Sequence, residues 1–310
     1  MKISTSIYGV LKRYDLLTSC KVLAAAGFEA IDYSVTQNTV QWEEGFFRDP
    51  KCPEFAEYFR NIGKTVRDGG VEMYQCHAPY ARPFISDPEY YAQLQKQIIR
   101  SIYAAGYMGC PNIVAHPVLH IDFCDGKNKE LARQTTLDYF SAMVPALKGT
   151  GVTMCIENLF FYIEDEDRWT DNFCSSAEDL CDVIDTLNQM HGPHFAACLD
   201  TGHAVVTKQD PAEMLGILGN RIKVLHVQDN QGEQDDHLIP TEGIIDWKKF
   251  ATALGEIDYQ GTFNFEVSEP FCLLTKDTFS RTAFLNACDF LYSIGRSLAD
   301  IAEGKFVEES

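Results

Sequence analysis

The sequence predicts the α/β class and, within it, a (β/α)8 barrel whose active site lies at the C-terminal ends of the strands. Three observations predict this. Short apolar or β-branched runs alternate with amphipathic helical patterns about eight times, as parallel strands joined by crossover helices require. Most of those runs are apolar at both odd and even positions, as strands buried on both faces must be. The chain has 310 residues without a composition break, and one such barrel needs about 250. The expectation is a single domain over residues 1–310.

The strand runs, in order, are Ile3–Tyr8, Ala30–Tyr33, Val71–His77 and Asn112–His116, then Val152–Glu157, Phe195–Asp200, Ile222–His226 and Thr262–Val267. After the second run, Phe55, Phe59, Ile62 and Val66 mark one face of a helix. After the third, Asp87-Pro88 reads as an N-cap with proline at the first helical position, ahead of Tyr91, Leu94, Ile98 and Ile102. The last helix carries Phe279, Ala283, Ala287, Phe290, Ile294, Leu298 and Ile301 as its apolar stripe. Gly27, Gly70 and Gly151 stand between helix and strand, where helix C-caps belong. No G-x-G-x-x-G follows the first strand, which removes the usual dinucleotide-binding signature.

Composition narrows the function classes. The formal net charge is −19, from 26 basic and 45 acidic side chains, and no Lys/Arg cluster interrupts it. Such a field repels polyanions, so no nucleic-acid partner is expected. The N-terminus lacks the charged start and long apolar run of a signal peptide, and no stretch approaches the roughly 18 apolar residues of a membrane span. The expectation is a cytoplasmic protein with no membrane partner. Its eleven cysteines form no C-x-x-C pair and read as reduced, small apolar residues.

The strand ends carry the chemistry. Strand three ends Cys76-His77-Ala78, strand four Ala115-His116-Pro117 and strand five Ile156-Glu157-Asn158. Strand six ends Leu199-Asp200-Thr201-Gly202-His203, strand seven Leu225-His226-Val227 and strand eight Phe265-Glu266-Val267. A lone histidine after a strand is ordinarily a hydrogen-bonded loop residue. Six consecutive strands finishing on His, Asp or Glu point instead to a shared metal site. Converging carboxylates repel one another unless a cation neutralises them. Glu157, Asp200, His226 and Glu266 offer three oxygens and one nitrogen, a set that suits one divalent cation: Mn²⁺, Co²⁺ or Mg²⁺, and also Zn²⁺. The stretch Gln234-Asp235-Asp236-His237-Leu238-Ile239-Pro240 follows strand seven and is placed over the site. Tyr8, Tyr80, Phe84, Phe160, Phe161, Tyr162 and Trp169 are expected to shape the pocket. Glu164–Phe173, acidic, aromatic and aperiodic, reads as a lid. Trp247 is expected to start the seventh helix, by packing as readily as by touching substrate.

These motifs resemble the xylose-isomerase-like TIM-barrel superfamily of sugar isomerases and epimerases, over nearly the whole chain. The most specific parts are Leu199-Asp200-Thr201-Gly202-His203, His226-Val227-Gln228-Asp229-Asn230, and Asp235-x-His237-Leu238-x-Pro240 with Asp246-Trp247. Similarity to the ketose 3-epimerases of this superfamily implies that Glu157, Asp200, His226 and Glu266 hold the metal. It further implies that Glu157 and Glu266 exchange protons with a carbohydrate through a metal-stabilised enediolate, and that His203 contacts the sugar. His77, His116, Asp235, His237 and Tyr8 complete the expected substrate-binding set. Many relatives are homodimers or tetramers, and the resemblance carries that expectation too.

The sequence also departs from the epimerases. They place an arginine six residues after the metal histidine, where this chain has Gly232, and a second carboxylate six after the first ligand, where Ile163 precedes Glu164. Substrate orientation must therefore differ. Two alternatives stay open. One is a metal-assisted dehydratase or lyase acting on a keto-sugar or keto-inositol, with His116, His203 or His237 as general acid. The other is a phosphodiesterase like the three-zinc apurinic endonucleases, whose nine ligands match His77, His116, Glu157, Asp200, His203, His226, Asp235, His237 and Glu266. The acidic charge and the lack of basic loops weigh against duplex DNA as substrate.

Overall fold

The computed structural model describes residues 1–35, 42–80, 88–267 and 278–305 of the chain. In chain order its strands are β1 (Lys2–Ser6), β2 (Ala30–Ser34), β3 (Glu72–His77), β4 (Asn112–Ala115), β5 (Thr153–Glu157), β6 (Phe160–Ile163), β7 (Arg168–Asp171), β8 (Phe195–Asp200), β9 (Ile222–His226) and β10 (Thr262–Phe265). Eight of them form one parallel sheet in the order β10-β1-β2-β3-β4-β5-β8-β9. The sheet closes beyond the last strand ends. The Val227 N–H donates to the Asn264 carbonyl (2.8 Å) and the Glu266 N–H to the Val227 carbonyl (3.0 Å). The result is the expected (β/α)8 TIM barrel, closed beside the residues of interest.

Local chemistry sets the helix limits. Asp15, Ser176, Asp246 and Ser280 each accept a backbone N–H at a helix start, and Asp210 does so ahead of Pro211, satisfying donors that the helix itself leaves free. Gly27 and Gly151 end helices in the left-handed region, at φ 105° and 74°. A side chain at Gly27 would also strike the Tyr292 ring. The helix Pro53–Asp68 is capped by Gly69, one residue before the glycine expected there, and Gly70 takes the positive φ. Phe55, Phe59 and Val66 on that helix, and Leu94, Ile98 and Ile102 on Pro88–Met108, are buried as their spacing predicts. Asp87 and Phe84 lie outside the described residues.

Three local expectations are corrected. Strand one ends at Ser6, and Tyr8 begins a one-turn helix, Tyr8–Leu11. The buried stripe of Arg281–Ala302 runs through Phe284, Cys288, Leu291, Gly295 and Leu298, while Phe279 and Phe290 are exposed. The helix is apolar on more than one side, so spacing alone cannot choose its face. Contact chooses it: Gly295 meets Phe265 and Ile3 with no room for a Cβ, which seats the helix on β10 and β1. Finally, the segment read as a lid is the turn and second strand of an antiparallel hairpin, β6–β7, with Phe160 opposite Asp171 and Ile163 opposite Arg168.

Candidate metal centre and active site

Three proposed ligands are the last residues of their strands: Glu157 of β5, Asp200 of β8 and His226 of β9. Glu266 immediately follows β10. Barrel closure therefore brings together side chains as far apart as Glu157 and Glu266 in sequence. Their ligand atoms lie within 4.8 Å of one another. Glu157, Asp200 and His226 are buried, and Glu266 keeps 13% of its side chain exposed.

The orientation of His226 fits a cation. Its Nε2 is 3.1 Å from Asp32 Oδ2, and its Nδ1 is 2.7 Å from Glu157 Oε1 and 3.2 Å from Glu266 Oε2; with the proton on Nε2, donating to Asp32, Nδ1 turns its lone pair toward the two glutamates. A lone pair and two carboxylate oxygens at these distances repel unless a positive charge sits among them. No lysine or arginine lines this place among the described residues. Burial, reinforced by the Glu266 and Glu157 carboxylates against the pull of His203, pushes the Asp200 carboxyl up to about 7. Burial would also raise Glu157, but the imidazoles of His226, His116 and His77 around it, when protonated, hold it below the usual range.

Around this centre stand two further groups. His77 Nε2 (3.3 Å) and His116 Nε2 (3.1 Å) both approach Glu157 Oε2. On the other side, His203 Nε2 (3.5 Å) and His237 Nε2 (3.1 Å) both approach Asp235 Oδ2. Nδ1–H groups of His77, His203 and His237 donate to the carbonyls of Ala78, Asn158 and Glu266, which turns each Nε2 inward. Burial depresses the His237 imidazolium, yet the Asp235 carboxylate outweighs it and takes the group to about 10. The Gln228 amide joins the two regions, donating to Asp235 Oδ1 (2.6 Å) and reaching Asp200 Oδ1 (3.3 Å) and Oδ2 (3.4 Å).

Above these residues opens a cavity of about 310 Å³. His116, Glu157, His203, Asp235, His237 and Glu266 form its polar side, and Tyr80, Leu119, Leu159 and the hairpin residues Phe160, Phe161, Tyr162 and Trp169 its apolar side. Phe160 meets Trp169 edge-on at 4.4 Å and His203 at 4.9 Å. Of the four clustered residues, the two glutamates line the cavity; Asp200 and His226 lie beneath it. Tyr8 is not among the described lining residues, and Lys12 Nζ covers its ring at 4.2 Å. Trp247 begins the helix Trp247–Glu256, buried, with its indole N–H on Asp229 Oδ2 (2.8 Å), a packing role.

Sequence reasoning missed Asp32, Gln75 and the bridging part of Gln228. The signal for Asp32 was present: a carboxylate inside the apolar run Ala30-Ile31-Asp32-Tyr33, the feature that singled out Glu157. Asn158, seen only as Glu157's neighbour, accepts the Asp200 N–H (2.7 Å) and donates to its carbonyl (2.9 Å), locking β5 to β8 at the site.

Comparison with known proteins agrees with this architecture. A family model described as a xylose isomerase-like TIM barrel matches residues 20–291. The uncharacterized protein y4fM of Sinorhizobium fredii is 23% identical over 249 residues, covering 73% of this chain and 75% of that protein. Among solved structures, a D-tagatose 3-epimerase-like protein superposes with a TM-score of 0.69 at 19% identity, over 98% of this chain and 99% of that one. The IOLI protein, described with a binding zinc atom, superposes with a TM-score of 0.70 at 15% identity, over 99% of both chains. At these identities the structural likeness establishes the fold alone.

Proposed function

The chain belongs to the xylose isomerase-like TIM-barrel family, and from that premise we propose that it is a divalent-metal-dependent sugar or polyol isomerase or epimerase. One observation carries the reading: Glu157 and Glu266 alone of the four-residue cluster face the cavity, while Asp200 and His226 sit below as pure ligands. A single Mn²⁺, Co²⁺, Mg²⁺ or Zn²⁺ held by the four supplies a Lewis acid that makes the C–H beside a substrate carbonyl more acidic. The chain's own residues then handle the proton. One glutamate removes it from carbon, and the other returns one from the opposite face, which inverts that carbon; return at the neighbouring carbon moves the carbonyl instead. His77 and His116 hold Glu157 Oε2 in place, while the hairpin aromatics exclude water and offer apolar faces to the sugar's C–H groups.

The Gln228 amide supports one cation rather than three. Its N–H groups already lie against Asp200 and Asp235, where a bridging second ion would otherwise be needed. A second reading, elimination from a keto-sugar, draws on the three imidazoles in the cavity, His116, His203 and His237, each a candidate proton donor to a leaving group. Solvent exchange tests the main reading. The Mn²⁺-loaded protein in D₂O is expected to place deuterium on carbon in at least one member of a panel of ketoses and inososes. Loss of a leaving group without isomer formation would favour the lyase, and nicking of abasic DNA by a three-zinc form would overturn the proposal.

A further inference from the structure

The side of His226 turned away from the metal cluster holds a charge that the metal cluster itself does not explain. Asp32, in the middle of β2, is buried, with 4% of its surface exposed. Its Oδ2 accepts the His226 Nε2–H (3.1 Å) and an N–H of the Gln75 amide (3.0 Å), and that amide also reaches the Leu225 carbonyl (3.3 Å). Asp32 Oδ1 is buried without a partner among the described residues. A carboxylate placed this way is costly, and it lies on the face of the ring opposite Glu157 and Glu266, where it cannot share their cation.

His77, His203 and His237 each fix their ring by donating an Nδ1–H to a backbone carbonyl, at 2.7, 2.9 and 2.7 Å. His226 differs: its outer nitrogen is hydrogen-bonded to a carboxylate, Asp32 Oδ2 at 3.1 Å, where the other three use a carbonyl. A carboxylate behind a ligating imidazole fixes the tautomer and strengthens the opposite nitrogen as a donor. We propose that Asp32, steadied by Gln75, is a positioning residue that presents His226 Nδ1 to Glu157 and Glu266 and tightens the binding of a divalent cation there. This rests on the metal-centre reading above.

The test is metal binding by the full-length protein, stripped with chelator and titrated calorimetrically with Mn²⁺. The visible spectrum of its Co²⁺ form and the apo-protein melting temperature are recorded alongside. Asp32→Ala is expected to lose about 10- to 100-fold in Mn²⁺ affinity and to change the Co²⁺ bands as the ring swings free. Asp32→Asn keeps an oxygen for the Nε2–H but not the charge, so its loss should be smaller, with the Co²⁺ bands preserved. It also keeps the volume, so it reports even if the alanine variant fails to fold. Gln75→Leu should weaken binding less than Asp32→Ala. Wild-type affinity in both Asp32→Asn and Gln75→Leu would overturn the proposal. A wild-type protein that binds neither Mn²⁺ nor Co²⁺ would overturn the metal-centre reading and this inference with it.

Discussion

The floor of the cavity and the hairpin above it are built from opposite materials. On the floor, Glu157, Asp200 and His226 end adjacent paired strands of the barrel; Asn158 locks the Asp200 backbone, Gln228 reaches the Asp200 carboxylate, and His77 and His116 face the Glu157 carboxylate. Among the described residues the hairpin β6–β7 pairs only with itself, and an isolated two-stranded ribbon is marginal in water. It is held by one buried face, Phe161 and Ile163 against Leu119, Cys124 and Leu159, and by exposed ion pairs from Arg168 to Asp125 (3.2 Å) and Glu166 (3.0 Å). Acid–base chemistry needs groups fixed within a fraction of an ångström, and the floor gives that. Substrate fit tolerates a softer wall. On the proposed function, this contrast predicts that turnover depends on the floor and selectivity on the hairpin.

The largest effect should come from the floor. Glu266→Gln is expected to lower kcat by about 10²- to 10⁴-fold while leaving the melting temperature near wild type, because Glu266 is partly exposed and shares His226 with Glu157, on which His77 and His116 lean instead. Glu157→Gln should lose turnover equally and also lose stability, since His77, His116 and His226 all face its carboxylate. Kinetics with thermal melts check both. Wild-type turnover in either variant would refute the two-glutamate mechanism. A middle-sized effect belongs to the hairpin. Trp169→Ala removes a half-buried ring that packs on Phe160 and Tyr162, and an aromatic contact of this kind is worth about 1 kcal/mol. KM should rise roughly 5- to 10-fold with kcat little changed, by steady-state kinetics. A large fall in kcat with constant KM would erase the division between the two regions.

How far each region was legible follows from the same contrast. Barrel strands must be apolar on both faces, so a charged residue at their ends stands out; that is why Glu157, Asp200, His226 and Glu266 were found. Asp32 is a carboxylate inside an apolar run too, but it lies two residues before the end of β2, away from the position where barrel strands present their site residues. The hairpin was hidden by its tip. Phe161 and Ile163 alternate with half-buried Phe160 and Tyr162, a four-residue strand pattern, yet Glu164–Asp167 is so acidic that the whole segment read as irregular. The face of the last helix was hidden for another reason: with apolar residues on several sides, only the close approach of Gly295 to Phe265 selects the buried one.

The smallest effect sharpens the comparison at the hairpin's outer anchor. Asp125 accepts from Thr170 Oγ1 (2.8 Å) and pairs with Arg168, and those hydrogen bonds lower its carboxyl to about 2 from 3.8. A carboxyl depressed in the folded state stabilises above its unfolded value, so its contribution is complete above about pH 4 and fades as pH falls toward 2. The site is exposed, so the contribution is small and salt-sensitive. Hydrogen exchange followed by mass spectrometry should show protection of residues 160–171 falling across that window ahead of the barrel strands. Asp125→Asn tolerates the same left-handed backbone, at φ 53°, and removes only the charge. Near neutral pH it should loosen the hairpin about as much as acid does in the wild type, and the acid-dependent loss should then vanish. If the variant exchanges like wild type, the ion pairs are ornament, and the apolar face against Leu119 and Leu159 holds the wall alone.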